Sequence, residues 1–398
     1  MKDLAETKSS NRGRRSITAW LFDERFLQVL AQIIFAAVVI LVAWLLYQNM
    51  ARALAKQGMV LGFNFLRLNS GFDVGFTLIK QSRESSNWTT IEVGILNTIL
   101  VSVISIILST ILGVVVGIMR VSSNLLANRI AWFYIEIFRN IPLLLVIVFT
   151  YTVYVFNLPN VKQALLLPGP SYLSNRGLNI PSLVPSATSN TYLVILLVCL
   201  VAAIFGAWLI VKRFRLDNFI GTLIGLGILL VLGIIAWLVL PLAPFTVDYP
   251  VRTGLNYTGG LALPPELMGI VIGLVLGSSP FTADTVRAGL QSVSKGQIEA
   301  AHALGLSSYQ TMRLVIFPQA MRVIVPPMTS NYLSLTKNSS LASAIAFPEI
   351  VAVSKTITSQ TGRAVEIMAI MMGIYATLSL LTSYFMNWYN NRVRIVER

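Results

Sequence analysis

The chain has 398 residues, of which 55% are hydrophobic and 12% are charged, and its net charge is +14. A soluble domain carries about 25% charged residues, and several apolar runs here reach the ~20 residues that cross a bilayer. The composition therefore excludes a soluble globular protein and predicts an integral membrane protein. Basic residues cluster beside apolar runs, as Lys212, Arg213 and Arg215 do. This pattern is typical of membrane topology and not of a nucleic-acid-binding face.

Eight membrane spans are predicted in chain order. They lie near Phe26–Tyr47, Ile91–Met119, Arg129–Phe156, Tyr192–Val211, Phe219–Leu240, Pro265–Gly289, Val325–Phe347 and Ala364–Trp388. An even number of spans puts both termini on one side, and the bias of Lys and Arg places that side in the cytoplasm. The sequence thus predicts an all-α, multi-pass membrane protein, with basic cytoplasmic tails at 1–25 and 391–398.

The predicted outer connections are long. The first, 51–90, carries several basic residues and is expected to include an ordered periplasmic element. The loops Asn157–Asn190 and Pro241–Pro264 are rich in proline and flank the two middle spans. Loops of this length without regular structure are usually functional or disordered. Two interpretations stay open for them, a solvated connection or a surface for a periplasmic partner.

The connection between the sixth and seventh spans contains two predicted short helices. Ser294 with Gln297, and Ser307 with Gln310, have the spacing of capping boxes. The first helix is expected over Lys295–Leu304, with Gly305 in the left-handed position that ends a helix. The second is expected to end near Phe317, before Pro318.

The first of these helices has a distinctive surface. Ala300, Ala301 and Ala303 are small, so another chain can approach closely, and Glu299 lies near the positive end of the helix dipole. The result is a short knob between two spans. A force on this knob would move both of them.

This region resembles the EAA loop of ABC-importer permeases, E-A-A-x3-G-x9-I-x-L-P. The matching residues are Glu299, Ala300, Ala301, Gly305, Val315, Phe317 and Pro318. Val315 and Phe317 replace the usual Ile and Leu. The flanks Arg287–Ser292 and Lys295–Gln297 are similar to the polar amino acid permeases, and so are Glu136–Leu144 and Lys337–Leu341.

The resemblance implies a fold, a location in the bacterial inner membrane and a set of partners. The second, third, sixth, seventh and eighth spans would form the five-helix core of a type I ABC importer permease, at 91–156 and 265–390. Segment 26–50 would be an extra helix, and 157–264 would add outer loops and two helices. The coupling loop, 291–327, would bind a separate ABC ATPase through Glu299, Ala300, Ala301, Gly305 and Pro318.

The remaining partners are implied in the same way. A second, different permease subunit would complete the pore, and a periplasmic amino-acid-binding protein would deliver a polar L-amino acid. Neither cofactor nor metal is expected, since the chain has one cysteine, Cys199, one histidine, His302, and no phosphate-binding G-x-x-x-x-G-K-[ST] loop.

Charged residues within predicted spans are usually paired or functional. Glu136 and Arg139 are three residues apart, as are Asp284 and Arg287, so each pair can meet on one helix face. Two interpretations stay open, an ion pair that fixes packing or contact with the charged groups of the substrate. Pro142 is expected to kink the third span.

The seventh span is unusually polar around Lys337, Asn338, Ser339 and Ser340. These residues predict a pore-lining face, with hydrogen bonding between helices as the alternative. Many members of the family that the chain resembles carry Asp at the position of Asn338. The Asn in this chain weakens the case that this position binds a cationic substrate. Glu349 and Glu366 are expected to be solvated or to face a partner.

Two other classes of protein fit the sequence less well. A secondary transporter driven by an ion gradient often shows internal repeats, which are not evident here. A membrane enzyme would need a metal cluster or a nucleophile with a base, and the sequence offers neither. The permease is therefore the preferred hypothesis.

Overall fold

The computed structural model describes residues 24–56, 58, 62–186 and 245–393, with isolated residues between 194 and 234. The predicted spans Tyr192–Val211 and Phe219–Leu240 thus lie almost wholly outside the described residues. The chain divides into two compact units, with the boundary after Phe65.

The first unit contains one long helix, α1 (Glu24–Lys56). Its stretch Leu27–Ala53 is long and apolar enough to cross a membrane, and none of the most apolar window is buried. The helix extends past both ends of the predicted segment 26–50.

The second unit is a bundle of helices. They are α2 (Asn87–Val121), α3 (Leu125–Asn140), α4 (Leu143–Asn157), α5 (Pro265–Gln291), α6 (Lys295–Ala303), α7 (Ser308–Thr311), α8 (Phe317–Asn338), α9 (Ile350–Thr361) and α10 (Ala364–Val393). A π-helix covers Met312–Ile316, and short 3₁₀ helices cover Asn64–Arg67, Val161–Gln163 and Ser339–Ile345. By length and composition, four described helices including α1 can cross a membrane, or six if each of two bent pairs is one span. The second unit accounts for five of these, which confirms the predicted fold class.

The third predicted span is broken and not merely kinked. Helices α3 and α4 meet at 107°. Ile141 between them is extended, with φ −92° and ψ 131°, and Pro142 is the N-cap of α4. A proline disfavours helical backbone in the residue before it, so the helix ends there and a new one begins.

The seventh predicted span, Val325–Phe347, ends at a second break. Helix α8 ends at Asn338, the 3₁₀ helix follows, and Ala346 adopts a left-handed conformation with φ 61°. Helix α9 then begins after Glu349, and the chain bends by 53° at this break. Lys337 lies in the last turn of α8, before the break.

Helix α5 lies at the centre of the bundle, and glycine allows the close approach of its neighbours. Gly269, Gly273 and Gly277 follow one another at every fourth residue, facing α4. A Cβ at Gly273 would lie 2.7 Å from the Cα of Ile147, and one at Gly269 would lie 3.0 Å from the Cα of Tyr151. Small residues at such positions let membrane helices pack backbone against backbone.

We expect Gly273→Ala to destabilise the bundle by ~1–3 kcal/mol, because the added methyl group would force α4 and α5 apart. The matched control is Gly373→Ala in α10, where a Cβ meets nothing within 4 Å. Thermal unfolding of the detergent-solubilised protein measures the difference. Equal melting temperatures for the two variants would contradict this account of the packing.

Glu349 is completely buried, so the expectation of a solvated side chain is wrong. Its carboxylate caps α9 by accepting hydrogen bonds from the backbone N–H of Val351 at 2.8 Å and of Ala352 at 2.9 Å. The hydroxyl of Tyr375 donates to it at 3.4 Å. Glu366 is also buried, at 6% exposure, and its carboxylate lies 3.3 Å from the guanidinium of Arg363. Sequence alone could not identify these internal partners.

The break before α9 is joined to α2 by two further hydrogen bonds. Asn97 Nδ2 donates to the carbonyl oxygens of Phe76 and Pro348, each at 2.9 Å. The N–H of Ile350 donates to Thr98 Oγ1 at 3.1 Å. These bonds fix the segment before α2, the break and α2 in one arrangement.

We expect Glu349→Ala to destabilise the protein by ~1–2 kcal/mol, the usual cost of losing a helix cap. Glu349→Asp retains a capping carboxylate and should recover part of the loss. Glu299→Ala, at an exposed carboxylate, serves as the control and should leave the melting temperature unchanged. A Glu349→Ala protein as stable as the wild type would refute the capping role.

The proline-rich loops contain short antiparallel strands, which the sequence analysis did not predict. They are β1 (Leu165–Leu167), β2 (Ser171–Ser174), β3 (Gly177–Ile180), β4 (Ser182–Pro185), β5 (Phe245–Asp248), β6 (Val251–Thr253), β7 (Asn256–Thr258) and β8 (Leu261–Leu263). The order in the largest sheet is β1-β2-β3-β8, and β4 pairs with β5 and β6 with β7. Because β3 pairs with β8 and β4 with β5, the two loops form one strand unit between α4 and α5.

Candidate functional site: the EAA segment and a polar cavity

The EAA segment, Ser294–Pro318, begins with α6. The helix ends as predicted in a glycine cap, since Gly305 has φ 78°. The N–H of Gly305 donates to the carbonyl of His302 at 2.9 Å, and that of Leu306 donates to the carbonyl of Ala301 at 3.1 Å. This pair of bonds defines a Schellman motif, which needs a left-handed residue at its centre.

The two predicted capping boxes have different outcomes. Ser307 and Gln310 form both bonds of the box, at 3.4 Å and 2.9 Å. Ser294 is the N-cap of α6, but its side chain makes no capping bond, so that box is wrong. The sequence spacing alone did not distinguish them.

The surface of α6 is only partly as expected. Glu299 and Ala300 are exposed, whereas Ala301 is 3% exposed and packs inward. Leu304 and Tyr309 are exposed to 83% and 72%. Large exposed apolar side chains at one place are typical of a protein interface, and these two were not among the predicted site residues.

Pro318 does not end the second helix. Helix α7, the π-helix and α8 are continuous in sequence, and the N–H of Phe317 bonds to the carbonyl of Met312, the spacing of a π turn. A proline ring clashes with the carbonyl four residues before it, here that of Leu314, and the wider π turn gives the ring room. The EAA segment therefore runs directly into α8.

The EAA segment connects two central helices, since α5 ends at Gln291 and α8 begins at Phe317. Gln297 and Gln319 approach within 3.5 Å across the segment. A displacement of α6 would be transmitted to both α5 and α8 through the chain itself.

A polar cavity of about 290 Å³ lies at the break between α3 and α4, which places it against α5 and α8. Its lining consists of Phe138, Arg139, Ile141, Leu143, Gly277, Ser278, Phe281, Asn331, Ser334, Leu335 and Asn338. The residues of α8 recur at 331, 334, 335 and 338, which is one face of a helix. This spacing is the sequence signal that could have found Asn331 and Ser334.

The predicted ion pairs within single helices are wrong. Arg139 Nη1 lies 2.6 Å from Asp284 Oδ2, so the pair joins α3 to α5. Glu136 instead accepts a hydrogen bond from Asn140 Nδ2 at 3.2 Å. Arg287 has no hydrogen bond or ion pair within the part of the chain that the structure describes. The i,i+3 spacing allowed the predicted pairs, but tertiary packing brought a closer partner to Arg139.

The four predicted pore residues do not share one face. Asn338 lines the polar cavity, whereas exposed Lys337 lines a separate surface pocket beside α10. Ser339 is completely buried and donates to the carbonyl of Thr336 at 2.7 Å. Ser340 is half-buried. Only Asn338 is thus placed with Arg139.

No group of three or more His, Cys, Asp or Glu side chains with the geometry of a metal site occurs among the described residues.

Comparison of the sequence with known protein families identifies the family of this chain. Residues 109–395 match the model of the binding-protein-dependent transport system inner membrane components. The chain belongs to this family. The predicted resemblance to ABC importer permeases is thereby confirmed.

Three relatives align with the permease over nearly their full lengths. It is 40% identical to the general L-amino acid transport system permease protein AapQ of Rhizobium johnstonii, over 96% of each chain. It is 39% identical to the putative amino-acid ABC transporter permease protein YhdX of Escherichia coli, also over 96% of each. It is 36% identical to the glutamate/glutamine/aspartate/asparagine transport system permease protein BztB of Rhodobacter capsulatus, over 95% of this chain and 96% of that one.

Two solved structures overlap with the permease over 77% of its length. One is an amino acid ABC transporter with histidines, with 20% identity, 94% of that chain covered and a TM-score of 0.44. The other is the MetNI methionine ABC transporter in an inward-facing conformation, with 14% identity, 97% covered and a TM-score of 0.46. The family assignment depends on the family model and the full-length relatives.

Proposed function

We propose that this permease is a pore subunit of an ATP-driven importer that moves polar L-amino acids across the bacterial inner membrane. The observation that carries the proposal is its likeness, over nearly the whole chain, to permeases named for amino acid transport. In this proposal both termini lie in the cytoplasm, as the positive-inside rule favours.

ATP hydrolysis takes place on a separate ATPase chain that binds the EAA segment. Exposed Glu299 and Ala300 contact that partner, while buried Ala301 packs α6 against the rest of the permease. Gly305 permits the turn that follows, and Pro318 sets the wide turn that leads into α8. Exposed Leu304 and Tyr309 supply apolar contact area.

Coupling follows from the connections of the EAA segment. Helix α5 has 27 residues and so spans ~40 Å, enough to carry a displacement from α6 to the strand unit. ATP shifts the equilibrium between two conformations of the bundle because it is bound more tightly in one of them.

The polar cavity is the proposed contact with the substrate. The guanidinium of Arg139 has five donors, and Asp284 engages it from the side of α5. The remaining donors are available to a substrate carboxylate, which arginine binds in a bidentate manner. Asn331, Ser334 and Asn338 offer hydrogen-bonding groups to the rest of a polar amino acid.

Two further partners complete the proposed importer. A second, different permease subunit completes the pore. A periplasmic amino-acid-binding protein docks on the strand unit, which lies at the opposite end of α5 from the EAA segment.

The test is uptake by the complete complex reconstituted in vesicles with its co-expressed ATPase and binding protein. We expect uptake of labelled polar L-amino acids to require enclosed or added ATP and to continue when ionophores collapse the ion gradients. Uptake that stops with the gradients and persists without ATP would refute the proposal. Competition by a panel of unlabelled amino acids then defines the substrates.

A further inference from the structure

A second cavity, of about 480 Å³, lies along α8 from Phe317 to Tyr332, whereas the polar cavity lies along its last two turns. Its walls come from α2, α5, α8 and α10, together with Met312 and Phe317 at the two ends of the π-helix. Its lining consists almost entirely of aliphatic, thioether and aromatic side chains, such as those of Met321, Met328 and Phe385. We call it the apolar cavity.

Two hydroxyl groups in the lining of the apolar cavity bond to each other. Thr110 donates to the carbonyl of Ile106 at 2.6 Å, so its oxygen accepts a hydrogen bond from Tyr332, 2.9 Å away. Two potential anchors for a polar ligand are thereby satisfied within the protein. The occupant must be apolar along most of its length, because an unpaired polar group in such a site is costly.

A cation lies on α10 about one turn beyond the last residue that lines the apolar cavity. Tyr389 of α10 lines the cavity, and Arg392 lies three residues further on, which makes the two neighbours on the helix surface. The guanidinium carbon of Arg392 lies 4.9 Å from the ring centre of Trp388. An arginine stacked on tryptophan at a helix end is typical of the level of lipid headgroups.

We propose that the apolar cavity binds one acyl chain of an anionic membrane phospholipid, with Arg392 contacting its headgroup phosphate. Three of the helices that surround the cavity, α2, α5 and α10, are long and apolar enough to cross a membrane, so acyl chains are the molecules that surround it. The volume lies within the usual range for ligand cavities, about 300–1,000 Å³. Because Met312 and Phe317 form part of the wall, the bound chain supports the π-helix that joins the EAA segment to α8.

Photolabelling tests this site directly. The assembled complex is reconstituted in phosphatidylethanolamine vesicles that contain phosphatidylglycerol with a diazirine in its acyl chain, irradiated, and mapped by mass spectrometry of peptides. Met328 is 5% exposed and Met372, on the outside of α10, is 73% exposed. We expect labelling at Met328 to equal or exceed labelling at Met372. Labelling at Met372 without labelling at Met328 would refute the proposed site. That result would mean that the lipid stays at the surface or that a protein helix fills the cavity.

Two variants sharpen the test. Met321→Trp fills the cavity and should reduce labelling at Met328 about tenfold, which corresponds to ~1.4 kcal/mol of lost binding. Met372→Trp is the matched control and should leave labelling at Met328 unchanged. Undiminished labelling in a folded Met321→Trp protein would contradict the proposal. If that variant does not fold, competition in the wild type decides, because unlabelled phosphatidylglycerol must saturate labelling at a real site.

The headgroup contact has its own comparison. A diazirine phosphatidylcholine should label Met328 less than the phosphatidylglycerol probe does, and Arg392→Ala should remove this preference. Equal labelling by the two probes in the wild type would overturn the assignment of an anionic lipid. None of these measurements requires transport, so their failure is distinguishable from failure of the proposed function.

Discussion

Gly305→Val is expected to abolish ATP-driven uptake while leaving the permease folded in the membrane. Gly305 has φ 78°, and a β-branched residue is a genuine outlier in that region. The left-handed conformation costs an ordinary residue about 1–2 kcal/mol. A Cβ at this position meets nothing within 4 Å, so the cost comes from the backbone alone and falls on the turn after α6.

The comparison with Gly305→Asn and Gly296→Ala isolates the backbone effect. Asparagine tolerates the left-handed region, so this variant should retain most of the uptake. Gly296 lies inside α6, also in open space but without a positive φ, and alanine there should stabilise the helix by about 1 kcal/mol. Uptake by vesicles and melting temperature are measured for all three. Wild-type uptake by Gly305→Val would show that the geometry of this turn is not needed for coupling.

The turn after α6 could be predicted from the sequence because its determinants are local. Gly305 follows an alanine-rich helix, and the Ser307–Gln310 box needs only four residues to form. The same local reasoning failed at Ser294, where the spacing was right but no capping bond forms. It also failed at Pro318, because a π turn can accommodate a proline that would otherwise end the helix.

The two helix breaks show a second limit of sequence reasoning. An apolar run of the right length predicts a span, and hydropathy does not distinguish a continuous helix from the bent pair α3–α4. Pro142 indicated the position of this break but not its size. The break before α9 depends on Glu349, whose capping role required knowledge of the burial around it.

The strand unit was missed for another reason. Its strands have three or four residues each, and β3 pairs with β8, which follows segment 187–244 in the sequence. Pairing over that distance in sequence leaves no local periodicity to detect. The prolines predicted connections without regular structure, and the short strands between them show that this prediction was wrong.

The polar cavity could be anticipated only in part for the same physical reason. Asn338 and Arg139 were singled out as unusual in predicted spans, and the fold places both in its lining. The partner of Arg139 depends on how α3 crosses α5, which no spacing within one helix encodes. The two interpretations of this charge, a packing bond or a substrate contact, therefore need an experiment.

Arg139→Met is expected to reduce uptake about tenfold to a hundredfold. Hydrogen bonds to charged groups contribute about 1.5–3 kcal/mol, and the proposed bidentate contact with a carboxylate would be lost. Arg139→Lys keeps the positive charge but loses the planar guanidinium, so its uptake should lie between that of the wild type and that of Arg139→Met. Stability should change little, because the side chains of Arg139 and Asp284 are 54% and 30% exposed, and such pairs contribute ~0–1 kcal/mol.

Exchanging the two charges separates the interpretations. The double variant Arg139→Asp with Asp284→Arg can re-form an ion pair between α3 and α5, but it moves the guanidinium to the other helix. If Arg139 contacts the substrate, uptake should remain as low as in Arg139→Met while the melting temperature stays at the wild-type value. Arg83→Met is the control, since Arg83 pairs with Asp73 at 2.8 Å on an exposed surface and its loss should not affect uptake. Restoration of uptake by the exchange would instead show that the ion pair only holds α3 against α5. Such a pair functions equally well whichever of the two helices carries the arginine.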